Sequence, residues 1–371
     1  MGEFMKTEVL QKRRPVAILY YCLATFAIFF IGFMLLRFPE TASQGISDGV
    51  DLSLGTLIPS LYPFMVLSTL IIELDIFDNI PNIFNKLSLK IFSSGDKCLG
   101  VVLLSMIGGL PLGCKMASEL YEKGAVTRGD AKKMMLFCYC TGPAFTISSV
   151  GFYMLASKQA GLLIYISLVL SAVTIGILSR FFIDDDNTKL CIKAKSESSN
   201  FIISLVRSVS SGSTAMLSVC AWVILFSCIN KLIEILPISE SFKLFFYSIS
   251  EVTNGVYLSS GTLPLPIIAG IIGFGGLCGH CQVMPYIIKL RLNYKFFLIS
   301  RIVSASLSVI YCDILLKYFP VSYQVFSIGN LPTKTSLSVS AVYSISMLAT
   351  AGLFLLGDSA IFKINAKKDH R

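Results

Sequence analysis

Three side chains able to bind a metal or exchange disulfides, Cys278, His280 and Cys281, fall within four residues in the run GFGGLCGHCQV at 273–283. A redox dithiol of the thioredoxin kind needs a strand leading into a helix whose N-terminus lowers the thiol pKa. This tetrapeptide lies instead in an apolar run interrupted by glycines. The chain's 11 cysteines are scattered, odd in number and mostly embedded in apolar sequence, so they define no disulfide framework and read as small buried hydrophobes. No metal site and no cofactor are expected. The two histidines, His280 and His370, assemble no acid–base constellation, and an enzyme is not expected.

A different chemistry is offered where apolar segments are broken by glycine or proline beside neutral polar groups. Such places are GGLPLG at 108–113, TGPAF at 141–145, EVTNG at 251–255 and GFGGLCGH at 273–280. Breaking a helix leaves backbone N–H and C=O groups without partners, which is costly in a membrane unless protein, water or a bound solute uses them. The candidate solute-binding residues are therefore Gly108, Gly109, Pro111, Gly113 and Lys115 at the first break, and Thr141, Gly142 and Pro143 at the second. Thr253, Asn254 and Gly255 serve the third, and Gly275, Gly276 and Gln282 the fourth. Half-helices starting after Gly113, Pro143, Gly255 and Gly276 could direct N–H groups at an anion. Lys115 is the cation expected to lie deep, or else to snorkel to the surface. Glu119 and Glu251 are intramembrane carboxylates, which usually have a partner or a job: Glu119 can pair with Lys115 at i, i+4, and Glu251 can hold a coupling proton or cation.

The elements that position these groups follow from hydropathy. The 371 residues are 54% hydrophobic and 14% charged, with a mean hydropathy of +0.74, so the chain reads as an all-α polytopic membrane protein. Apolar runs of about 20 residues, long enough to cross a bilayer, lie at 16–36, 57–75, 134–156, 160–182, 214–236, 264–288, 296–316 and 338–357. Two interrupted segments, 99–126 and 242–262, read as re-entrant helical hairpins. The architecture expected is thus about eight transmembrane helices plus two re-entrant hairpins. The first run follows QKRR but lacks a small-residue cleavage site, and is read as a retained span.

The Lys and Arg residues test this layout, because they concentrate in short cytoplasmic loops. With both termini cytoplasmic, the outside holds Arg37, Lys158, Lys231, Lys243, Lys317 and Lys334, and the rest of the 31 basic residues fall inside, Arg301 among them. Orientation accounts for the net charge of +9, and no nucleic-acid partner is needed.

Five parts follow: a cytoplasmic tail and first span at 1–37, a first repeat at 38–183, a polar cytoplasmic linker at 184–199, a second repeat at 200–337, and a last span with its tail at 338–371. Each repeat runs from an interfacial stretch (40–56, 198–213) to a span, a hairpin, a broken span and an unbroken span. By the charge assignment the hairpins enter from opposite sides, so the repeats are inverted. Paired broken segments in inverted repeats point to a secondary transporter with its solute held between them near the bilayer midplane. Close helix packing is the plainer role for such glycines.

The run GGLPLGCKMASELYEKGAVTRGDAKKMMLFCYCTGPAFTISSVG at 108–151 resembles the first gate, or nucleoside-recognition, domain of the YlbJ family of sporulation integral membrane proteins. EVTNGV and GFGGLCGHCQV are similar to the second gate, with Cys278 and Cys281 where Ser or Ala is expected. The resemblance covers about residues 40–320. It implies a fold related to concentrative nucleoside transporters and passage of dipicolinic acid from the mother cell across the outer forespore membrane. That solute is a planar aromatic dicarboxylate, which Phe145, Phe274 or Tyr139 could face. An ion-coupled nucleoside transporter, which would use Glu119, Glu251, Asn254 and Gln282 on hydroxyls and amides, and a non-transporting membrane scaffold are the alternatives. Partners expected are membrane lipid, the small solute and a coupling proton or cation. The cell membrane is the other location considered, and the sequence leaves homo-oligomerisation open.

Overall fold

The computed structural model describes residues 21–79, 82–95, 97–183, 200–260 and 262–321. The linker at 184–199 and the last span at 338–357 lie outside the described residues. Among the described residues every regular element is helical.

Helix α1 (Tyr21–Arg37) is followed at Pro39 by α2 (Pro39–Leu52), bent by 101° from it. Proline is best accommodated in the first turn of a helix, which suits it to the corner here. Helix α2 continues through a π-helical turn, Ser53–Leu57, into α3 (Ile58–Glu73). After α4 (Asn82–Phe92) come the two arms of the first hairpin, α5 (Cys98–Gly108) and α6 (Leu112–Glu122). The broken span consists of α7 (Arg128–Phe137) and a π-helical segment, Ala144–Met154, and α8 (Lys158–Ser179) closes the first half.

The second half opens with α9 (Phe201–Glu234), continues through the hairpin α10 (Glu240–Ser250) and α11 (Val252–Ser259), then α12 (Leu265–Phe274), α13 (Gly276–Lys289) and α14 (Tyr294–Tyr318). One expectation is corrected here: within the stretch 198–213, residues 201–213 are not a separate interfacial element but the first third of the 34-residue α9. Its N-terminus is fixed by Asn200, whose side chain accepts from the Ile202 N–H, as an N-cap should.

Helix α8, α9, the α12–α13 pair and α14 are long and apolar enough to cross a membrane, and the protein is an integral membrane protein. The other expected spans differ in form. Ile58–Glu73 is a shorter apolar helix carrying Pro63, the segment at 134–156 is broken between Phe137 and Ala144, and α1 joins α2 at the sharp bend.

Packing brings the two halves face to face. Helix α9 runs against α2 and α3, and α14 against α8 and α12. The α2–α9 contact depends on small residues: a Cβ added at Gly49 would stand 2.7 Å from the Ile224 Cα, and one at Gly45 2.8 Å from the Cys228 Cα. Close backbone approach through small residues is how helices associate where lipid supplies no hydrophobic drive.

Candidate functional site

The first hairpin turns at Gly109, whose φ of +78° is readily accessible only to glycine, and Pro111 caps α6. The tip rests on the second break: a Cβ on Gly109 would lie 2.8 Å from the Gly142 nitrogen, and one on Gly142 2.8 Å from the Ile107 carbonyl oxygen. These glycines are therefore required by contact between the hairpin and the broken span. Beyond them Pro143 heads the π-helical segment, whose first turn is closed by the Thr146 N–H donating to the Gly142 carbonyl at 3.1 Å.

In the second half the turn falls earlier than EVTNG suggests. Glu251 is extended and Val252–Ser259 is already helical. The Glu251 carboxylate caps α11, accepting from the Thr253 N–H at 3.0 Å and from the Asn254 N–H at 2.8 Å. An anion at a helix N-terminus is favoured by the unpaired N–H groups there, and in this half the chain supplies that anion itself. Gly255 is not a turn residue but the place where the hairpin arms touch, since its Cβ would stand 2.7 Å from the Ser248 Cα. Asn254 contributes its backbone N–H to the Glu251 cap.

The fourth break is made by Gly275 and Gly276, at φ +83° and +62°, between α12 and α13. His280 stabilises it: its Nε2 lies 3.0 Å from the Phe274 carbonyl oxygen and its Nδ1 3.1 Å from the Tyr294 hydroxyl. A carbonyl only accepts, so in the neutral ring Nε2 carries the proton and Nδ1 accepts from Tyr294. The histidine of the opening motif thus caps a helix end. Cys278 is buried, and both Cys278 and Cys281 are free thiols.

A cavity of about 120 Å³ lies between the breaks of both halves. Gly108 and Gly109 reach it from the first hairpin, Thr141 and Gly142 from the second break. Glu251 and Thr253 line it from the second hairpin, Gly275 and Gln282 from the fourth break. All four segments chosen from the sequence therefore share one space, well above the roughly 10–15 Å³ that a single water occupies. Phe145 offers it a flat apolar wall. The lining also includes residues that sequence reasoning passed over, Leu57 and Leu61 before and on α3 and Val219 and Val223 on α9. Nothing distinguishes these from other apolar residues of their helices until the fold brings them to the cavity.

Polarity inside the cavity is unequal between the halves. Thr141 is 8% exposed and its hydroxyl is without a hydrogen-bond partner, beside the open start of the Ala144–Met154 segment. Across the cavity, the α11 start is already filled by Glu251, which is 6% exposed. Among the described residues, no lysine, arginine or histidine lines the cavity.

Lys115, expected as the cation of the site, is placed elsewhere. It pairs with Glu119 at 2.6 Å and donates to Thr69 Oγ1 on α3, while the Ser211 hydroxyl on α9 donates to Glu119 at 3.0 Å. The i, i+4 spacing on α6 keeps acid and base together, and the pair ties α3, α6 and α9. Gly113 likewise packs against the Cys138 carbonyl and the Ser105 side chain. Gly276 faces Val252 and the Ser250 carbonyl.

Arg301 is the residue that the charge assignment misplaced. It is 1% exposed within α14, not a loop charge, and donates to the carbonyls of Tyr139, at 2.7 Å, and Leu136. These carbonyls lie at the end of α7, where cations are favoured. Its guanidinium carbon stands 4.8 Å from the Tyr139 ring centre and 5.5 Å from that of Phe297. An arginine within the apolar run 296–316 was the available signal, because a charge there needs a use.

Comparison with known proteins gives one relationship at the level of sequence. The chain is 20% identical over 336 residues to the "Sporulation integral membrane protein YlbJ" of Bacillus subtilis (strain 168), covering 80% of this chain and 82% of the relative. No family model matches the chain, and no solved structure matches it significantly.

Proposed function

We propose that the protein is a secondary transporter acting in sporulation, carrying a small aromatic dicarboxylate, dipicolinic acid, across the outer forespore membrane, with the cavity between the four breaks as its solute site. The observation that carries the transporter reading is the convergence of broken segments from both halves on one cavity. Two broken spans and two hairpins that merely packed would not need to leave an unpartnered threonine and a capped carboxylate facing a shared space. The sporulation setting rests on the relative's name. The inverted orientation of the halves, the cytoplasmic termini and the descent from nucleoside-transporter-like proteins belong to this reading.

A second reading, ion-coupled nucleoside transport, is favoured by one specific feature. Among the described residues the cavity offers neutral hydrogen-bonding groups, Thr141, Thr253 and Gln282, with a single carboxylate and no cation, a set that suits hydroxyls and amides. Uptake of labelled dipicolinate and uridine into proteoliposomes separates the two. Dipicolinate uptake above protein-free vesicles supports the first, uridine uptake alone the second, and uptake of neither removes the transporter reading.

A further inference from the structure

The cavity brings an ionisable carboxylate into the space proposed for an anionic cargo, and like charges at that separation repel strongly where water is scarce. Glu251 is 6% exposed and has no basic partner among the described residues; its two oxygens are held by the Thr253 and Asn254 N–H groups. Facing it across the cavity, α13 brings Cys278 and Gln282, α9 brings Val219 and Val223, and the Ala144–Met154 segment brings Ala144, Phe145 and Ser149. The first hairpin brings Ile107, Gly108 and Gly109, and α3 brings Leu61. Within its own hairpin Tyr247 is the neighbouring titratable group. Among the described residues the Cys278 thiol is thus the one other titratable side chain of the lining, and it adds no positive charge.

Resting on the transporter reading above, we infer that Glu251 is the proton site of the carrier: an anionic carboxylate cargo enters the cavity together with one proton, which resides on Glu251. The cargo carboxylate is received on the opposite side, by the unpartnered Thr141 hydroxyl at the start of the Ala144–Met154 segment. The proton comes from bulk water and neutralises Glu251. The neutral acid then has an O–H to donate towards the cargo, while its carbonyl oxygen still accepts a backbone N–H of α11. A metal ion fits less well in the same place. Both Glu251 oxygens already face N–H donors, and no group of three or more His, Cys, Asp or Glu that could hold a metal exists among the described residues.

The test is proton uptake on binding. Purified full-length protein in weakly buffered detergent solution is titrated with dipicolinate, following pH and affinity together, and the titration is repeated with Glu251→Gln. The wild type is expected to take up about one proton per dipicolinate bound, with affinity falling about tenfold per pH unit once Glu251 ionises. Glu251→Gln should bind without proton uptake and with an affinity that no longer varies with pH, whatever its absolute affinity. Binding by the wild type with no proton uptake overturns the inference, as does unchanged proton uptake in Glu251→Gln. If folded wild type binds no dipicolinate at any pH, it is the cargo assignment that fails. Infrared spectroscopy of the ligand-free protein then decides the proton site alone. A carboxylic acid C=O band that is present at low pH, is lost as pH rises and is missing in Glu251→Gln is expected; no such band overturns it.

Discussion

The Tyr139 hydroxyl donates a 3.0 Å hydrogen bond to the Gly275 carbonyl, 136 residues away. This joins the break that ends α7 in the first half to the break between α12 and α13 in the second. The backbone of the same tyrosine is gripped by Arg301 of α14, so both discontinuities bordering the cavity are fixed by one chain of contacts. Tyr139→Phe keeps the ring and loses the bond, and should lower stability by about 1 kcal/mol. Gly275→Ala should cost more, because it strains a residue at φ +83° and meets the Tyr139 ring. Denaturant unfolding in detergent measures both, and equal stability of the two variants with wild type would remove this link.

Arg301 holds two helix-end carbonyls and has no carboxylate partner among the described residues. Arg301→Met should leave those carbonyls buried and unpaired, at about 1–3 kcal/mol each. Arg301→Lys retains the charge but not the planar fork that reaches both carbonyls, and is expected to recover only part of the loss. The readout is the unfolding midpoint of the three proteins. A midpoint for Arg301→Met within error of wild type would show that the guanidinium does not support the break.

Lys115, which is buried, pairs with the partly exposed Glu119 away from the cavity. Removing one partner strands the other charge, at a cost below the full penalty of a buried pair because Glu119 is partly exposed, whereas removing both costs less. Lys115→Ala should therefore be less stable than the Lys115→Met, Glu119→Leu double variant. Measured under conditions where it remains folded, Lys115→Ala should bind dipicolinate as wild type does. A selective loss of affinity in that variant would return Lys115 to the solute site.

Orientation is testable by labelling single cysteines in a background from which the 11 native ones are removed. Glu240→Cys should react with an impermeant thiol reagent from outside and Arg180→Cys only from the cytoplasmic side. Labelling of both from one side contradicts the inverted arrangement of the halves.

The breaks were legible in the sequence because glycine and proline mark them directly: Gly109, Gly142, Gly275 and the Glu251 turn all fall in or beside the quoted runs. The pairing of Lys115 with Glu119 was legible too, since i, i+4 neighbours on a helix meet whatever else the fold does. What hydropathy could not show was the direction of side chains over long separations. Tyr139 reaches Gly275, and Arg301 reaches Tyr139 across 162 positions. The same limit placed Arg301 in a loop by counting charges, and read the start of α11 as vacant for an anion when the preceding Glu251 fills it. Gly113 and Gly255 were read as turn or approach positions because a glycine's two uses, left-handed backbone and close packing, are identical in sequence.

The most direct test of the account is whether the solute binds between the breaks. Thr141→Val and Gln282→Leu remove one polar group from each half of the cavity lining at nearly constant volume, and neither residue holds a helix end. Equilibrium binding of dipicolinate and of uridine to the purified, folded variants is compared with wild type. The account predicts at least about a tenfold loss of affinity for the bound solute in each variant, the size of about 1.4 kcal/mol, and a double variant whose loss is not the sum of the two. Wild-type affinity in both single variants would contradict it and place the solute site outside this cavity.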